Sequence, residues 1–510
     1  MARRFWIGVI IVTLTGSVLV PETEAQTIWY VNGALATNGD GHLWSSAFNN
    51  LQSAISAAGI NHLPHDQIWV AKAIYKPSMR TIPEDPRSVC FSMPSGIDVY
   101  GGFIGNETSL GSRRPDLNVT VLSGDIGTLG LAADNAYCVA LFDGSAVSPT
   151  LDGLTVTGGC GVWNIWGSGA GILITGGATP VLENLRIVDN QASDWGGGMY
   201  IDSGTPTLTA CTFERNRAKW GGGLCVYSSA STLYLDRCVF DGNIADVQAG
   251  ALFNRFAGTL EVRNTIFRSN LCLSGESLDQ RGGAIVNLYY CTARYVNCLY
   301  DGNMNLAGGG AMWNDGGASI SLINCTIVSN SSVCGSGGGL YTQANTTATN
   351  CIFWNNRDVN DPSGTGQAAQ IYQDGGTLSI NYCDVRGWTG GGTGNINDDP
   401  NFVAPAARNL RLQGSSPCVD AGSNGGVSEP NDLDGYTRIV PSNGYVDMGA
   451  YELQALLADD CDGNTIHDGN DLAACSGQAW CSDCNANGIP DVCDILIAEG
   501  GHCDAGVRAD

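Results

Sequence analysis

The sequence predicts an all-β solenoid, and three periodic observations predict it. Seven asparagines recur as Asn190, Asn216, Asn243, Asn270, Asn303, Asn330 and Asn356, with gaps of 26, 27, 27, 33, 27 and 26 residues. A unit of that size is one supersecondary element that cannot bury its own apolar face, so such units stack. Three residues before each asparagine stands an aliphatic or aromatic residue: Ile187, Phe213, Phe240, Phe267, Tyr300, Ile327 and Phe353. Five before it stands Cys211, Cys238, Cys298, Cys325 or Cys351, with Leu185 and Thr265 in the other two repeats. Side chains alternate along a strand, so these two positions share one face, which is predicted to point inward. A glycine cluster then follows: Gly196-Gly197-Gly198, Gly221-Gly222-Gly223, Gly282-Gly283-Ala284, Gly309-Gly310-Ala311 and Gly337-Gly338-Gly339. Met199, Leu224, Ile285, Met312 and Leu340 come next. Each repeat therefore reads as one coil of two or three short strands with glycine bends. Parallel coils lie about 4.8 Å apart, so equivalent residues form ladders along the axis. In the asparagine ladder, side-chain amides would satisfy backbone groups that a turn leaves unpaired.

Composition agrees with a packed, acidic solenoid. Glycine makes up 70 of 510 residues without a Gly-X-Y period, and 43 % of the chain is hydrophobic, which excludes collagen and argues against disorder. With 24 basic and 49 acidic side chains the net charge is −25. Such a surface repels nucleic acid and anionic membranes and suits calcium.

Taken from the N-terminus, residues 1–25 read as a signal peptide. Arg3 and Arg4 precede an apolar run from Phe5 to Val20, and Ala25 offers a cleavage point. The competing reading is a membrane anchor, but Pro21 and Glu22 end the run early. No later stretch reaches the roughly 20 apolar residues of a spanning helix, so an exported chain with no transmembrane segment is expected. Residues 26–105 read as an N-terminal cap and first coils. Ile28 to Val31 and Gln67 to Ala71 are strand-like, while Trp44, Phe48, Leu51 and Ile55 fall at helical spacing. A helix over the open first coil would protect its edge groups and core. Residues 106–388 carry the repeats and residues 389–455 the closing segment.

Cysteine at one site per coil has two readings. It is a small buried apolar residue in a reduced ladder, or neighbouring rungs bring two sulfurs within disulfide reach.

The tail, 456–510, holds the sharpest chemical signal. Asp460, Asp462, Asn464, Asp468 and Asp471 align position by position with Asp483, Asn485, Asn487, Asp491 and Asp494. Oxygen ligands at loop positions 1, 3, 5, 9 and 12 are what a hard calcium ion needs. Short apolar runs follow each loop, suggesting helices. Six cysteines at 461, 475, 481, 484, 493 and 503 allow 15 disulfide connectivities. Calcium loops, a disulfide-stapled linker without metal, and zinc at Cys481 and Cys484 are the three readings; export and the oxygen-rich neighbours favour calcium with disulfides.

Two columns outside the coil are candidate sites. Glu214, Asp241, Arg268 and Asp301 stand two residues before successive asparagines, on the outward face. Asp241 and Asp301 would then lie two rungs, about 9.6 Å, apart. That nears the upper limit of roughly 6.5–9.5 Å for an inverting carboxylate pair. The alternative is a surface charge ladder in which Arg268 neutralises its acidic neighbours. Trp195 and Trp220 each precede a glycine cluster, with Trp163 and Trp166 one coil earlier. Their indoles could stack on sugar rings or pack under a loop. No G-x-S-x-G, H-E-x-x-H or P-loop motif occurs, and no nucleophile is named.

Several segments resemble known families. Phe213-Glu214-Arg215-Asn216, Phe240-Asp241-Gly242-Asn243 and Phe267-Arg268-Ser269-Asn270 are similar to the FxxN half of the polymorphic outer membrane protein repeat. Gly282-Gly283-Ala284-Ile285 is similar to its GGA[ILV] half. This resemblance spans roughly 148–388 and implies a right-handed parallel β-helix displayed outside a bacterial cell, several such proteins being adhesins. Those proteins end in a membrane β-barrel, for which this sequence shows no counterpart. The stretch Trp29 to Pro77 is similar to the lead-in of secreted pectate-lyase-like β-helix proteins. The motifs around Ser416 to Gly422 and Asp447 to Glu452 resemble the terminal segment of bacterial surface β-helix proteins. The tail resembles the duplicated calcium loop–helix of dockerins and, less closely, thrombospondin type 3 repeats. Thr465 in place of the sixth-position glycine, and Asp rather than Glu at the end of both loops, depart from that pattern. A dockerin-like tail implies a cohesin-like partner. The combined expectation is an exported binding or adhesion protein with a polysaccharide or cell-surface ligand. The alternative is a polysaccharide lyase or glycoside hydrolase working through Asp241, Arg268 and Asp301.

Overall fold

The computed structural model describes residues 26–454, apart from 61–62, 145–146, 163–166, 228–231, 257–258, 274–280 and 441–443. The expected leader at 1–25, Trp163, Trp166 and the tail with its ten candidate calcium ligands lie outside the described residues.

The repeats form a right-handed parallel β-helix. Right-handedness is what parallel crossovers adopt when twisted strands pack back on themselves. Among the described residues the coils align into four parallel sheets. Sheet A has twelve strands and runs from Ile28–Val31 to Leu378–Asn381. Sheet B has eleven, from Ile74–Tyr75 to Asp384–Val385. Sheet C has seven two- to five-residue strands, from Cys160–Gly161 to Ser331–Ser332. Sheet D has ten, from Phe91–Ser92 to Ile371–Gln373. A central coil therefore carries four strands, one more than the sequence grammar suggests. The extra one is the short run after the asparagine, such as Gln191–Ala192, which also finds a partner in the next coil.

Inward columns build one continuous core. Ile187, Phe213, Phe240, Phe267, Tyr300, Ile327 and Phe353 stand in register along sheet B and are buried. Their rings stack at centroid distances of 4.6 Å for Phe213–Phe240 and 5.0 Å for both Phe240–Phe267 and Phe267–Tyr300. Cys211, Cys238, Cys298, Cys325, Cys351 and Cys383 form the neighbouring column, fully buried, and the described cysteines are thiols. Each thiol in this column donates to the carbonyl two residues before it, from 3.2 Å at Cys383 to 3.5 Å at Cys211.

The corners repeat as strictly as the strands. Asn184, Ala210, Arg237, Asn264, Asn297, Asn324, Asn350 and Tyr382 turn the chain from sheet A to sheet B with φ between 47° and 56°. So regular a left-handed column in mostly non-glycine residues means that the stacked coils over-determine the corner. At the glycine corner, Gly310 cannot be replaced freely, since a Cβ there would sit 2.2 Å from the Gly338 carbonyl of the next coil.

The seven asparagines are buried and bonded into one ladder. In each pair, the backbone N–H and side-chain Nδ2 of one asparagine both donate to Oδ1 of the next, at 2.9–3.1 Å from Asn190 to Asn356. The ladder ends on Gln370 of the short helix α2 (Gln367–Gln370), whose Oε1 accepts from Asn356 N at 3.1 Å and Nδ2 at 2.9 Å. A second ladder joins Asn254, Asn287 and Asn314 at 3.1 and 2.8 Å.

At the N-terminal end the helix α1 (Leu51–Ala58) buries Leu51, Ala54, Ile55 and Ala58 in the coil core. It starts later than the periodicity suggests. Asn50 caps it by accepting from Ser53 N at 2.8 Å, which leaves Trp44 in a 3-10 turn and Phe48 in the approach. Beyond Ile396 the chain runs back along the outer face of sheet B. An antiparallel pair, Phe402–Ala404 with Asn409–Leu412, packs with Cys418, Met448 and Tyr451 over Leu299, Val328, Ile352 and Trp354. Arg438, buried, fastens this segment: it donates to Asn297 Oδ1 at 2.8 Å and to the Ala450 carbonyl at 2.7 Å, and lies 3.5 Å from Glu452.

Candidate functional site

Two outer faces carry the residues with chemistry. On sheet B, Glu214, Asp241, Arg268 and Asp301 stand on successive strands in register. Arg268 binds Asp241 Oδ2 through Nε and Nη2, both at 2.9 Å. Glu214 accepts from Arg186 at 2.9 Å and from Arg215, which itself forks onto Asp189 at 2.9 Å. Asp301 is not the exposed acid that alternation alone implies. It is buried, 3.4 Å from Arg408 of the returning C-terminal segment, and burial raises its pKa. Asp241 therefore shares no open space with Asp301, and the column is occupied by ion pairs within the chain. At the other end of this face a cavity of about 760 Å³ opens beside Arg113, Pro115, Thr155, Asn184, Arg186 and Thr212. Arg113 is held there by Asp152, so it supports the wall.

On sheet D the outward column reads Leu173, Tyr200, Cys225, Phe253, Val286, Trp313, Tyr341 and Tyr372 in register. Six rung steps of about 4.8 Å put roughly 29 Å between the strands of Tyr200 and Tyr372. Trp313 stacks on Tyr341 at 3.7 Å, and Tyr341 lies 5.2 Å from Tyr372. Tyr341 donates to Asp374 at 2.5 Å, which also accepts from Gln343 at 2.9 Å. Trp195 and Trp220 border the same face on adjacent coils, joined by a parallel bridge and stacked at 4.1 Å. One face of each indole is thus taken up by the other, and Lys219 Nζ sits 4.3 Å over Trp220. Both pack partly buried against a small outer core of Cys225, Ala249, Phe253, Val286 and Leu288. Phe256 and Tyr289 stack at 4.6 Å along the far edge, beside the highly exposed Tyr290. The sequence signal found Trp195 and Trp220. It missed the other aromatics, because in the column each follows an inward residue such as Met199, Met312, Leu340 or Ile371 whose period dominates.

Among the described residues no cluster of three or more His, Cys, Asp or Glu side chains is arranged to hold a metal ion. Nor is any described helix long and apolar enough to cross a membrane.

A family profile described as right handed beta helix region matches residues 135–267. The chain is similar to the solved structure of a pectate lyase, Pel9A, with TM-score 0.50 and 13 % identity, covering 84 % of this chain and 96 % of that one. It is also similar to a rhamnogalacturonan lyase, with TM-score 0.42 and 12 % identity, covering 76 % of this chain and 95 % of that one. No curated protein sequence matches it. At 13 % identity the first likeness speaks to the β-helix fold and its repeats alone.

Proposed function

We propose that this chain is an exported binding or adhesion protein, extracellular or at the cell surface, whose β-helix presents sheet D to a linear polysaccharide. The observation that carries this reading is the column of Tyr200, Trp313, Tyr341 and Tyr372 along the axis, with Trp195, Trp220, Phe256 and Tyr289 beside it. Aromatic side chains offer large, rigid, amphipathic contact area at low entropy cost. Tyr–Asp and Gln–Asp pairs on the same face supply the polar contacts that orient hydroxyl-rich ligands. A parallel column suits a polymer lying along the axis, with aromatic rungs at Tyr200, Trp313, Tyr341 and Tyr372 and the buried Cys225, Phe253 and Val286 between the first two. The tail would bind calcium through its paired loops and dock to a cohesin-like partner.

The second reading, a polysaccharide lyase or glycoside hydrolase, draws on the pectate-lyase-like fold and the cavity beside Arg186. Against it stand the ion pairs of Asp241 and Glu214 and the burial of Asp301.

Depletion of the full chain from solution by a panel of insoluble polysaccharides tests the binding reading. Retention on one polymer, weakened in Tyr341→Ala and in Trp220→Ala with unchanged thermal midpoints, supports it. Equal retention of both variants sinks the role of sheet D.

A further inference from the structure

Arg255 is the one described arginine on sheet D that stands among aromatic rings with no carboxylate partner among the described residues. Its guanidinium carbon lies 5.6 Å from the Trp195 ring, 5.3 Å from Tyr227, 5.0 Å from Phe256 and 5.3 Å from Tyr289. Its Nε is buried without a hydrogen-bond partner. The other arginines bordering this face are neutralised: Arg217 by Asp246 at 2.7 Å and Arg281 by Asp315 at 3.4 Å. In a chain of net charge −25, with two acidic side chains for every basic one, Arg255 thus meets rings but no carboxylate among the described residues.

We propose that Arg255 and its aromatic cage form a recognition point for an anionic group on the polymer, so that the ligand of sheet D is an acidic polysaccharide. This rests on the reading of sheet D as a polysaccharide-binding face. The planar guanidinium is weakly hydrated and, with Nε buried, has its two Nη groups as the donors for a carboxylate or sulfate, while the rings hold it in orientation. Contact with four rings also restricts the rotamer freedom that a lone surface arginine would lose on binding. An acidic polymer meets a repelling surface elsewhere on this chain, which confines it to this point.

The test measures affinity of the full chain for three polymers of galactose or its uronic acid: a neutral β-1,4-galactan, polygalacturonate and a sulfated galactan. The wild type is expected to bind at least one anionic polymer about tenfold or more tighter than the neutral one, as charge-assisted hydrogen bonds imply. Whether the carboxylated or the sulfated polymer wins identifies the anion. Arg255→Gln is expected to erase that preference while leaving neutral binding in place, and Arg255→Lys to restore part of it. Arg217→Gln, removing an arginine already paired with Asp246, should leave the preference intact. If Arg255→Gln lowers the thermal midpoint, Arg255→Lys against Arg217→Gln decides the matter. Undiminished preference in Arg255→Gln, or neutral and anionic polymers bound alike by the wild type, overturns the role of Arg255 and leaves the polysaccharide reading standing. Binding to none of the three overturns both.

Discussion

Replacing one asparagine in the middle of the ladder should cost far more than its size suggests. Asn243 Oδ1 accepts from Asn216 N at 3.1 Å and Nδ2 at 3.0 Å. Its own Nδ2 donates to the Phe213 carbonyl at 2.8 Å and to Asn270 Oδ1 at 3.0 Å. Asn243→Ala removes all four bonds in a site with no access to water. Asn216 Nδ2 keeps the Ile187 carbonyl at 2.7 Å, and Asn270 Oδ1 keeps the backbone N–H of residue 243 at 3.0 Å. The Asn216 backbone N–H, by contrast, is orphaned. An unsatisfied buried donor costs about 1–3 kcal/mol, and each further lost bond about 1 kcal/mol. With three further bonds lost, the sum is roughly 4–6 kcal/mol. A solenoid opens coil by coil, so the loss should appear as local opening. Hydrogen exchange read by mass spectrometry should show protection around residues 213–220 falling by roughly a thousandfold or more, at 1.4 kcal/mol per decade. Gln370→Ala removes the equivalent acceptor from the ladder's end, and its effect should stay within the last coils. Protection within about threefold of wild type in Asn243→Ala would refute the reasoning, because the ladder would then carry no net energy.

Two further outcomes follow from the same physics. Burial raises the Glu452 carboxyl to about 9 and that of Asp447 to about 6. The docked segment therefore keeps protons that the undocked one releases near pH 4–4.5, so docking is strongest at low pH and weakens as pH rises toward 9. Limited proteolysis within 400–452 should quicken over that window, with Glu452→Gln, which holds the neutral form, flattening the dependence. For the tail, calcium titration by calorimetry should show binding that is lost when Asp483 and Asp491 are both replaced by Ala, and chelation should expose 456–510 to protease. No heat of binding would leave the tail a disulfide-stapled linker.

Sheets B and D and the asparagine corner were legible because similar residues recur at one spacing, and a period survives averaging over coils; of sheet A only the entry strands around Ile28–Val31 and Gln67 to Ala71 were read. The terminating Gln370 was not legible. It acts once, from α2, and does by side-chain length what asparagine does from the coil. The burial of Asp301 was equally hidden: its strand position is regular, but its cover comes from Arg408, 107 residues later in the chain. Arg438 and Asn297, whose side chains meet at 2.8 Å, stand 141 residues apart and share no repeat. The outer aromatics of sheet D were individually visible but unaligned, since they occupy the slot between the inward residues that set the register. Trp195 and Trp220 were found because adjacent coils happen to repeat them.

The central claim is that this β-helix binds a polymer without cleaving it. The measurement that tests it most directly is the release of reducing ends and unsaturated products from a polysaccharide panel, with calcium, alongside depletion of the protein onto each polymer. Depletion onto one polymer, with no product from any, is the expected result. Product from one polymer, abolished in Asp241→Asn, would make the chain an enzyme acting from sheet B and contradict the account.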